Sequence, residues 1–342
     1  MVTIKDVARD AGVSVGTVSN VLNGGRVSEA RRKLVEASIE KLGYQVNTLA
    51  KGMRMQKTDY VVVILPNLIN PYFALLLDAL ESELSAVGKQ VLLCLSGDDA
   101  EREVAFMDMA KQNKVDGIIG VTYSKVEEER IENMAFVSID RHYKSHIPCV
   151  AGDNWQGGWL AAENLHKRGS TNLLCFMTMS SVDSEVRKRR VGFTEYCMEH
   201  DLSCNSVEMS EKQIVSVYES YGSRKLIHNM LRAYISPSMG EHSIDGIFTS
   251  SDHLATIVRE ELEEMGKRVP VDIQIIGYDG LQFLNQGKPI VSSIAQPVHE
   301  IAKEAVRCLN ELIANGKTEG NTKIPVSFQE GPTTKTLVTE EK

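Results

Sequence analysis

Near residue 60 the spacing of apolar residues changes, and the new spacing restricts the rest of the chain more than any other feature. Tyr60-Val61-Val62-Val63-Ile64-Leu65 is a short unbroken apolar run, the pattern of a parallel strand covered on both faces. Phe73, Leu76, Leu77, Leu80, Leu84 and Val87 then recur at helical spacing over Tyr72–Val87, and Gly88 stops that helix. The exchange continues with strand Gln90–Leu95, helix Ala100–Lys114 and strands Gly117–Val121 and Phe136–Ile139. A second series holds helix Trp155–Lys167, strand Asn172–Met177, helix Ser184–His200, one long helix Glu211–Ala233, strand Ile244–Thr249, helix Asp252–Met265 and strands Asp272–Gly277 and Val291–Ala295. A last helix begins around Pro297, a favoured first-turn residue, and runs to Ala314. Strands alternating with helices build parallel sheets wrapped by helices, through right-handed crossovers.

Before residue 60 the spacing is helical only. Thr3 is placed to cap a first helix, with Asp6 completing a variant of the capping box. Ile4, Val7, Ala8 and Ala11 form one apolar stripe, and Gly12 supplies the turn. Ser14 caps a second helix whose inward residues are Val18, Val21 and Leu22. Val15, Gly16, Thr17, Ser19 and Asn20 are left on its start and outer face, the positions a recognition helix presents to base edges in a DNA major groove. A third helix, Ser28 to Leu42, carries Val35, Ser38, Ile39 and Leu42 inward, and leaves Arg31, Arg32, Lys33 and Lys41 to solvent or phosphate.

Charge separates the two parts. Of the 38 Lys and Arg and 46 Asp and Glu, ten and five fall in residues 1–58, so that head carries +5 and the remainder −13. A basic head on an acidic body confines any nucleic-acid footprint to the head. The six cysteines are scattered without a CxxC pair, which predicts buried free thiols in a reducing compartment, and the eight histidines show no metal spacing. No apolar stretch approaches the roughly 18 residues of a membrane span, and the N-terminus enters a capped helix rather than a signal segment, so a cytoplasmic protein is expected. The first strand is not followed by Gly-x-Gly-x-x-Gly, and neither a P-loop nor a Gly-x-Ser-x-Gly appears, which argues against an enzyme with an added helical bundle. Neither catalytic residues nor a cofactor is expected.

Thr3 to Asn23 together with Gly43-Tyr44-Gln45-Val46-Asn47-Thr48-Leu49-Ala50-Lys51-Gly52-Met53 resembles the head and hinge of the lac/gal repressor family of bacterial transcription regulators. Tyr44, Asn47 and Ala50 match the family's hinge pattern, while Val46, Lys51 and Met53 stand where it has proline, arginine and leucine. The resemblance implies a helix-turn-helix DNA-binding domain over residues 1–46, a hinge helix over 47–58, and an α/β core over 59–342 like a type I periplasmic binding protein. That core has two parallel-sheet subdomains, about 59–154 plus 296–316 and about 155–290 plus 319–342, joined by three crossing strands. The implied DNA contacts are Thr3, Ser14, Val15, Gly16, Thr17, Ser19, Asn20, Asn23, Arg26 and Tyr44 in the head. In the hinge they are Asn47, Ala50, Lys51, Met53 as a minor-groove wedge, and Arg54.

Ligands of open parallel sheets bind beyond the carboxyl ends of the strands. There the family signatures are matched by Asn70, Tyr72 and Phe73 after the first strand, Arg189 of Arg-x-x-Gly-Phe, Ser251-Asp252, and Gly277-Tyr278-Asp279. Tyr123 and Arg141 follow two further strands, and these eight (Asn70, Tyr72, Phe73, Tyr123, Arg141, Arg189, Asp252, Asp279) are the expected effector contacts. Asp and Arg at one cleft suit the vicinal hydroxyls of a sugar or sugar derivative. The resemblance therefore implies a homodimer or tetramer, binding double-stranded operator DNA and most often repressing. Its affinity would be set by a small molecule, or in one branch of the family by a protein corepressor. The tail Phe328-Gln329-Glu330-Gly331-Pro332-Thr333-Thr334 lacks the family's Arg-x-Ser-Thr.

Overall fold

A computed structural model describes residues 2–22, 24–44, 58–125, 127, 130, 131, 133–143, 147–179, 182–235, 243–282 and 286–337. The chain divides into two compact units, Met1–Thr58 and Asp59–Lys342.

In the first unit, α1 (Ile4–Asp10), α2 (Val15–Leu22) and α3 (Glu29–Leu42) enclose a small core of Val7, Ala8, Ala11, Val18, Val21 and Val35. The expected caps form in part: Asp6 engages Thr3 and Ser14 caps α2, while Ser28 makes no side-chain cap bond at α3. Asp6 accepts from the Thr3 amide at 3.0 Å and its hydroxyl at 2.6 Å, and Ser14 Oγ accepts from the Thr17 amide at 3.1 Å. Ser38, the polar intruder in the α3 stripe, donates to Asp10 at 2.8 Å, and Lys41 reaches the same carboxylate at 2.7 Å, tying α3 to α1.

The second unit holds two six-stranded sheets. The first has the order β11-β5-β4-β3-β1-β2 and is parallel throughout. Its strands are β1 (Tyr60–Leu65), β2 (Gln90–Leu95), β3 (Gly117–Gly120), β4 (Phe136–Ile139), β5 (Cys149–Gly152) and β11 (Thr322–Ile324). The unbroken apolar run of β1 has its reason here. Val61, Val63 and Leu65 pack against α4 (Pro71–Ala86) and the final helix α11 (Val298–Asn315), while Val62 and Ile64 pack on the other face with α5 (Ala100–Gln112).

The second sheet has the order β12-β10-β9-β8-β6-β7, with strands β6 (Asn172–Met179), β7 (Ser203–Ser210), β8 (Gly246–Thr249), β9 (Gln274–Asp279), β10 (Ser292–Ala295) and β12 (Ser327–Gln329). Helices α6 (Asn154–Lys167) and α7 (Lys188–Glu199) cover one face. The other is covered by α8 (Glu211–Glu219), α9 (Lys225–Ile235) and α10 (Asp252–Glu264). The chain crosses between the sheets three times, at Gly152–Asn154, Ala295–Val298 and Ile324–Ser327.

Four features depart from the sequence reading. The long helix expected over Glu211–Ala233 is two helices, because Ser220 is extended (φ −140°, ψ 121°) and Tyr221–Arg224 turns as a 3-10 segment. The second sheet is not wholly parallel: β12 runs antiparallel to β10. Residues 319–342 do not all return to the second subdomain, since Thr322–Ile324 pairs in parallel with Val150–Gly152 of the first sheet before the chain crosses. Strands β5, β7, β11 and β12 carry too weak a pattern to read: three are only three or four residues long, and β7 is a largely exposed edge. Among the described residues no helix is long and apolar enough to cross a membrane, and the six cysteines are unpaired.

Candidate functional site

The site in the second unit is built by helix packing. Gly158 of α6 and Gly192 of α7 face each other's helices. A Cβ at Gly158 would run into the carbonyl of Arg189, and one at Gly192 into that of Trp155. Two backbones in such contact leave Arg189 no lateral freedom. Its guanidinium lies 3.5 Å above the Tyr278 ring, and Gly157 makes room for that ring. Arg189 Nε donates to Asn154 Oδ1 at 2.6 Å and Nη1 to the Ser250 carbonyl at 2.8 Å. Asn154 in turn donates to Asp140 at 3.3 Å, so one buried asparagine links the arginine of the second subdomain to a carboxylate at the end of β4.

Asp279, at the end of β9, has φ of 120° and is buried. Gln296, in a crossing segment, donates to Asp279 Oδ1 at 2.9 Å. Burial pushes the Asp279 carboxyl up to about 7, although Arg189 and Gln296 favour its charge. Asp140 (φ 61°) is raised by burial too, despite Arg189 and Asn154. Tyr72 is buried at the start of α4, in edge contact with Phe73, and burial beside Asp140 and Asp279 holds its hydroxyl well above the usual phenol range. Asn70 caps that helix by accepting from the Tyr72 amide at 3.1 Å.

Most of these groups line one cleft. The first subdomain contributes Asn67, Asn70, Tyr72, Phe73, Tyr123 and Asp140, and the second Thr178, Ser184, Arg187, Arg189, Ser250 and Asp279. Ile214 and Tyr218 of α8 lie across it, with Tyr218 stacked on His253 at 4.0 Å and its hydroxyl 3.0 Å from Ser251 Oγ. Four buried oxygens among these residues have no protein partner: Tyr72 Oη, Ser184 Oγ, Asp279 Oδ2 and Gln296 Oε1. Buried polar atoms are rarely left so, because each loses its hydration without recompense.

Glu185 follows the lining residue Ser184 and ties the two subdomains together beside the cleft. Its amide donates to the Asp140 carbonyl at 2.8 Å, and its buried carboxylate meets His142 from the first subdomain and Lys188 of α7, with Lys323 of β11 at 3.8 Å. Burial penalises this charge, but Lys188, His142 and Lys323 outweigh it and hold the carboxyl below its usual range.

Six of the eight expected effector contacts, Asn70, Tyr72, Phe73, Tyr123, Arg189 and Asp279, come together here, and two do not. Arg141 points away from the cleft: it donates to the Ser124 carbonyl at 2.6 Å and to Thr122, and lies 4.4 Å from the Tyr143 ring. Asp252 accepts from the Leu281 amide at 2.7 Å and the Ser293 hydroxyl at 2.6 Å, so its carboxylate fastens the turn after β9. Asp140, Tyr218 and Gln296 are among the cleft residues outside the expected eight, and Asn154, which is not in the lining, bonds Arg189. The position of Asp140 at a strand's carboxyl end was a usable signal; Gln296 had none.

In the head, Gly16, Asn20 and Arg26 are exposed, as are the two caps Thr3 and Ser14. Thr17 is half-buried with its hydroxyl 2.9 Å from Ser14 Oγ, and Ser19 is half-buried. Val15 and Tyr44 pack partly against the head's core, so neither is purely outward-facing. The expected contacts Asn23, Asn47, Ala50, Lys51, Met53 and Arg54 lie outside the described residues.

Comparison with known proteins agrees with this architecture. Residues 3–47 match the family described as bacterial regulatory proteins, lacI family, and residues 162–334 match the periplasmic binding protein-like domain. The chain is 32% identical over 332 residues to a sucrose operon repressor of Pediococcus pentosaceus, covering 96% of this chain and 98% of that one. It is 32% identical over 311 residues to a ribose operon repressor of Halalkalibacterium halodurans (90% and 89% covered). A periplasmic binding protein/LacI transcriptional regulator from Alkaliphilus metalliredigens QYMF, solved with D-xylulofuranose, superposes with a TM-score of 0.69 at 26% identity, covering 81% of this chain and 100% of that one.

Proposed function

The chain belongs to the lacI family of bacterial regulatory proteins, ligand-responsive DNA-binding repressors rather than enzymes, and from that premise we propose that its cleft takes a sugar or sugar derivative that sets its affinity for a two-fold symmetric operator. The observation that carries this reading is the set of unsatisfied buried oxygens around Arg189. Gln296 Oε1 is an acceptor only, Asp279 Oδ2 is one in its ionised form, and Tyr72 Oη accepts as well as donates, so a matching ligand brings several hydroxyl donors. Arg189 supplies the opposing donors, and Tyr218 and Phe73 add aromatic surface to the lining. The relatives named for sucrose and ribose operons, and the structure solved with D-xylulofuranose, support the same class.

The head acts as a dimer on DNA in this reading, with α2 in the major groove. Asn20 reads a base, and affinity falls steeply with salt. The effector acts by binding one arrangement of the two subdomains better than the other.

The experiment is operator binding by the full chain across a panel of sugars and other metabolites, with wild type and Arg189→Ala. A sugar changes wild-type affinity. Loss of charged hydrogen bonds, roughly 1.5–3 kcal/mol each, moves the half-response concentration of Arg189→Ala up by about 10- to 100-fold while operator affinity without ligand stays the same. Arg189→Lys, which keeps the charge but loses the planar fork, falls between. An unchanged midpoint in Arg189→Ala removes Arg189 from the site.

A further inference from the structure

Three of the six cysteines, Cys175, Cys197 and Cys204, meet in one cluster between β6, the end of α7 and β7. In the sequence Cys197 and Cys204 are separated by Met198–Ser203, which is no CxxC spacing. The fold closes that gap. Asp201 takes the left-handed conformation (φ 53°), and the Leu202 amide donates to the Cys197 carbonyl at 2.9 Å, so the chain reverses directly after α7. It then runs out extended along β7. Leu202 and Cys204, two residues apart, turn to the same face and pack on the cluster that holds Cys197.

There the two thiols are hydrogen-bonded to each other. Cys204 Sγ donates to the Asn205 carbonyl at 3.8 Å, which leaves its lone pairs to accept from Cys197. That bond holds the Cys204 thiol below its usual range against the pull of burial. Thr194 lies beside the same sulfur, but its proton is committed to the Arg190 carbonyl at 2.8 Å, so Cys197 is the donor. Access differs between the thiols. β7 is the edge of its sheet, and Cys204 is half-buried on it, whereas Cys175 and Cys197 are buried. Cys175 is the competing partner. Leu173 pairs with Cys204 across β6 and β7, which puts Cys175 on the diagonal. Strands about 4.8 Å apart, with a rise of about 3.3 Å per residue, set diagonal neighbours about 8 Å apart, past the separation a disulfide spans.

We infer that Cys204 and Cys197 form a dithiol oxidised by hydroperoxides, with Cys204 as the attacking thiol and Cys197 as its resolving partner. The Cys204 thiolate attacks one peroxide oxygen, the O–O bond breaks, and the sulfur becomes a sulfenic acid while the other oxygen leaves and takes a proton as water. The Cys197 sulfur then attacks the Cys204 sulfur. The S–O bond breaks, the S–S bond forms, and the departing hydroxide takes the Cys197 proton as a second water. Two thiols and one hydroperoxide thus give one disulfide, one water and the alcohol or water left from the peroxide. The bridge fastens the last turn of α7 to the edge strand, and Arg189 stands on the first turn of the same helix.

The test treats the reduced, folded, full-length protein with hydrogen peroxide, then alkylates it and digests it with a glutamate-specific protease. Cleavage after Glu195, Glu199 and Glu208 leaves the two cysteines in separate peptides, Tyr196–Glu199 and His200–Glu208. Peroxide joins these two peptides through a bond that dithiothreitol breaks, and the denatured chain titrates with two of its six thiols lost. Cys94, Cys149, Cys175 and Cys308 stay open to alkylation after unfolding. In Cys197→Ser the bridge is absent and dimedone traps a sulfenic acid on Cys204. In Cys204→Ser, Cys197 stays reduced. The wild-type peptide map needs neither variant, so it decides the question even where a serine at the buried Cys197 prevents folding. Wild-type protein in which peroxide leaves Cys197 and Cys204 both alkylated overturns the inference. So does a bridge from either to Cys175, or a bridge between two chains. A sulfenic acid trapped on Cys197 in Cys204→Ser overturns the assignment of Cys204 as the attacking thiol.

Discussion

Asp279 is the residue at which the chemistry of this core is most exposed to test. Its carboxyl is pushed up to about 7 by burial, whereas in the unfolded chain it titrates near the ordinary value of about 3.9. Between those two pH values the folded chain holds a proton that the unfolded chain has released. Asp279 therefore costs stability increasingly as pH rises through that window, and reaches its full cost above about 7. A ligand whose hydroxyls donate to the carboxylate favours the ionised form and lowers this pKa. Effector binding at pH 6–7 is accordingly expected to release a proton. Titrations in two buffers of different ionisation enthalpy read that release directly, and Asp279→Asn abolishes the buffer dependence. Uptake of a proton instead would mean that the ligand meets a protonated acid.

At the scale of elements, the contact of α6 with α7 positions the site. Glycine inside a helix is ordinarily a weakness, and Gly→Ala there gains up to about 1 kcal/mol. At Gly192 the sign is expected to reverse, because the added methyl meets the Trp155 carbonyl of the facing helix. Overpacking of this kind costs about 1–3 kcal/mol. Denaturant unfolding of Gly192→Ala gives the value, and effector affinity falls with it, since α7 carries Arg189. A stabilised Gly192→Ala would show that the helices adjust without strain.

Much of this element was legible beforehand. Arg189 and Gly192 stand in a motif, and the apolar run of β1 announces a strand covered on both faces. What stayed illegible has a physical cause. Edge strands such as β7 need no apolar alternation, three-residue strands carry no period, and Gln296 acts from a crossing segment that has no pattern of its own. Arg141 and Asp252 have the residue type and position of ligand contacts, yet the backbone groups beside them take up their hydrogen-bonding capacity. Sequence shows which residue is near a strand end, not which way its spare valences turn.

On the scale of the whole molecule, Glu185 joins one subdomain to the other at a point the proposed ligand does not occupy. The arrangement seen here therefore carries its own bias before any effector arrives. In a two-state equilibrium the apparent dissociation constant is the intrinsic one divided by the fraction of molecules already competent to bind. Glu185→Gln, which keeps the shape and discards the charge held by His142, Lys188 and Lys323, lowers that fraction. The expected result is a higher effector concentration for half response with an unchanged maximal response, read from operator binding curves. An unchanged midpoint would assign Glu185 to local stability alone. The sensitivity of such a regulator is thus adjustable at a residue that never touches its signal: two proteins with identical sugar contacts can report different concentrations of the same sugar.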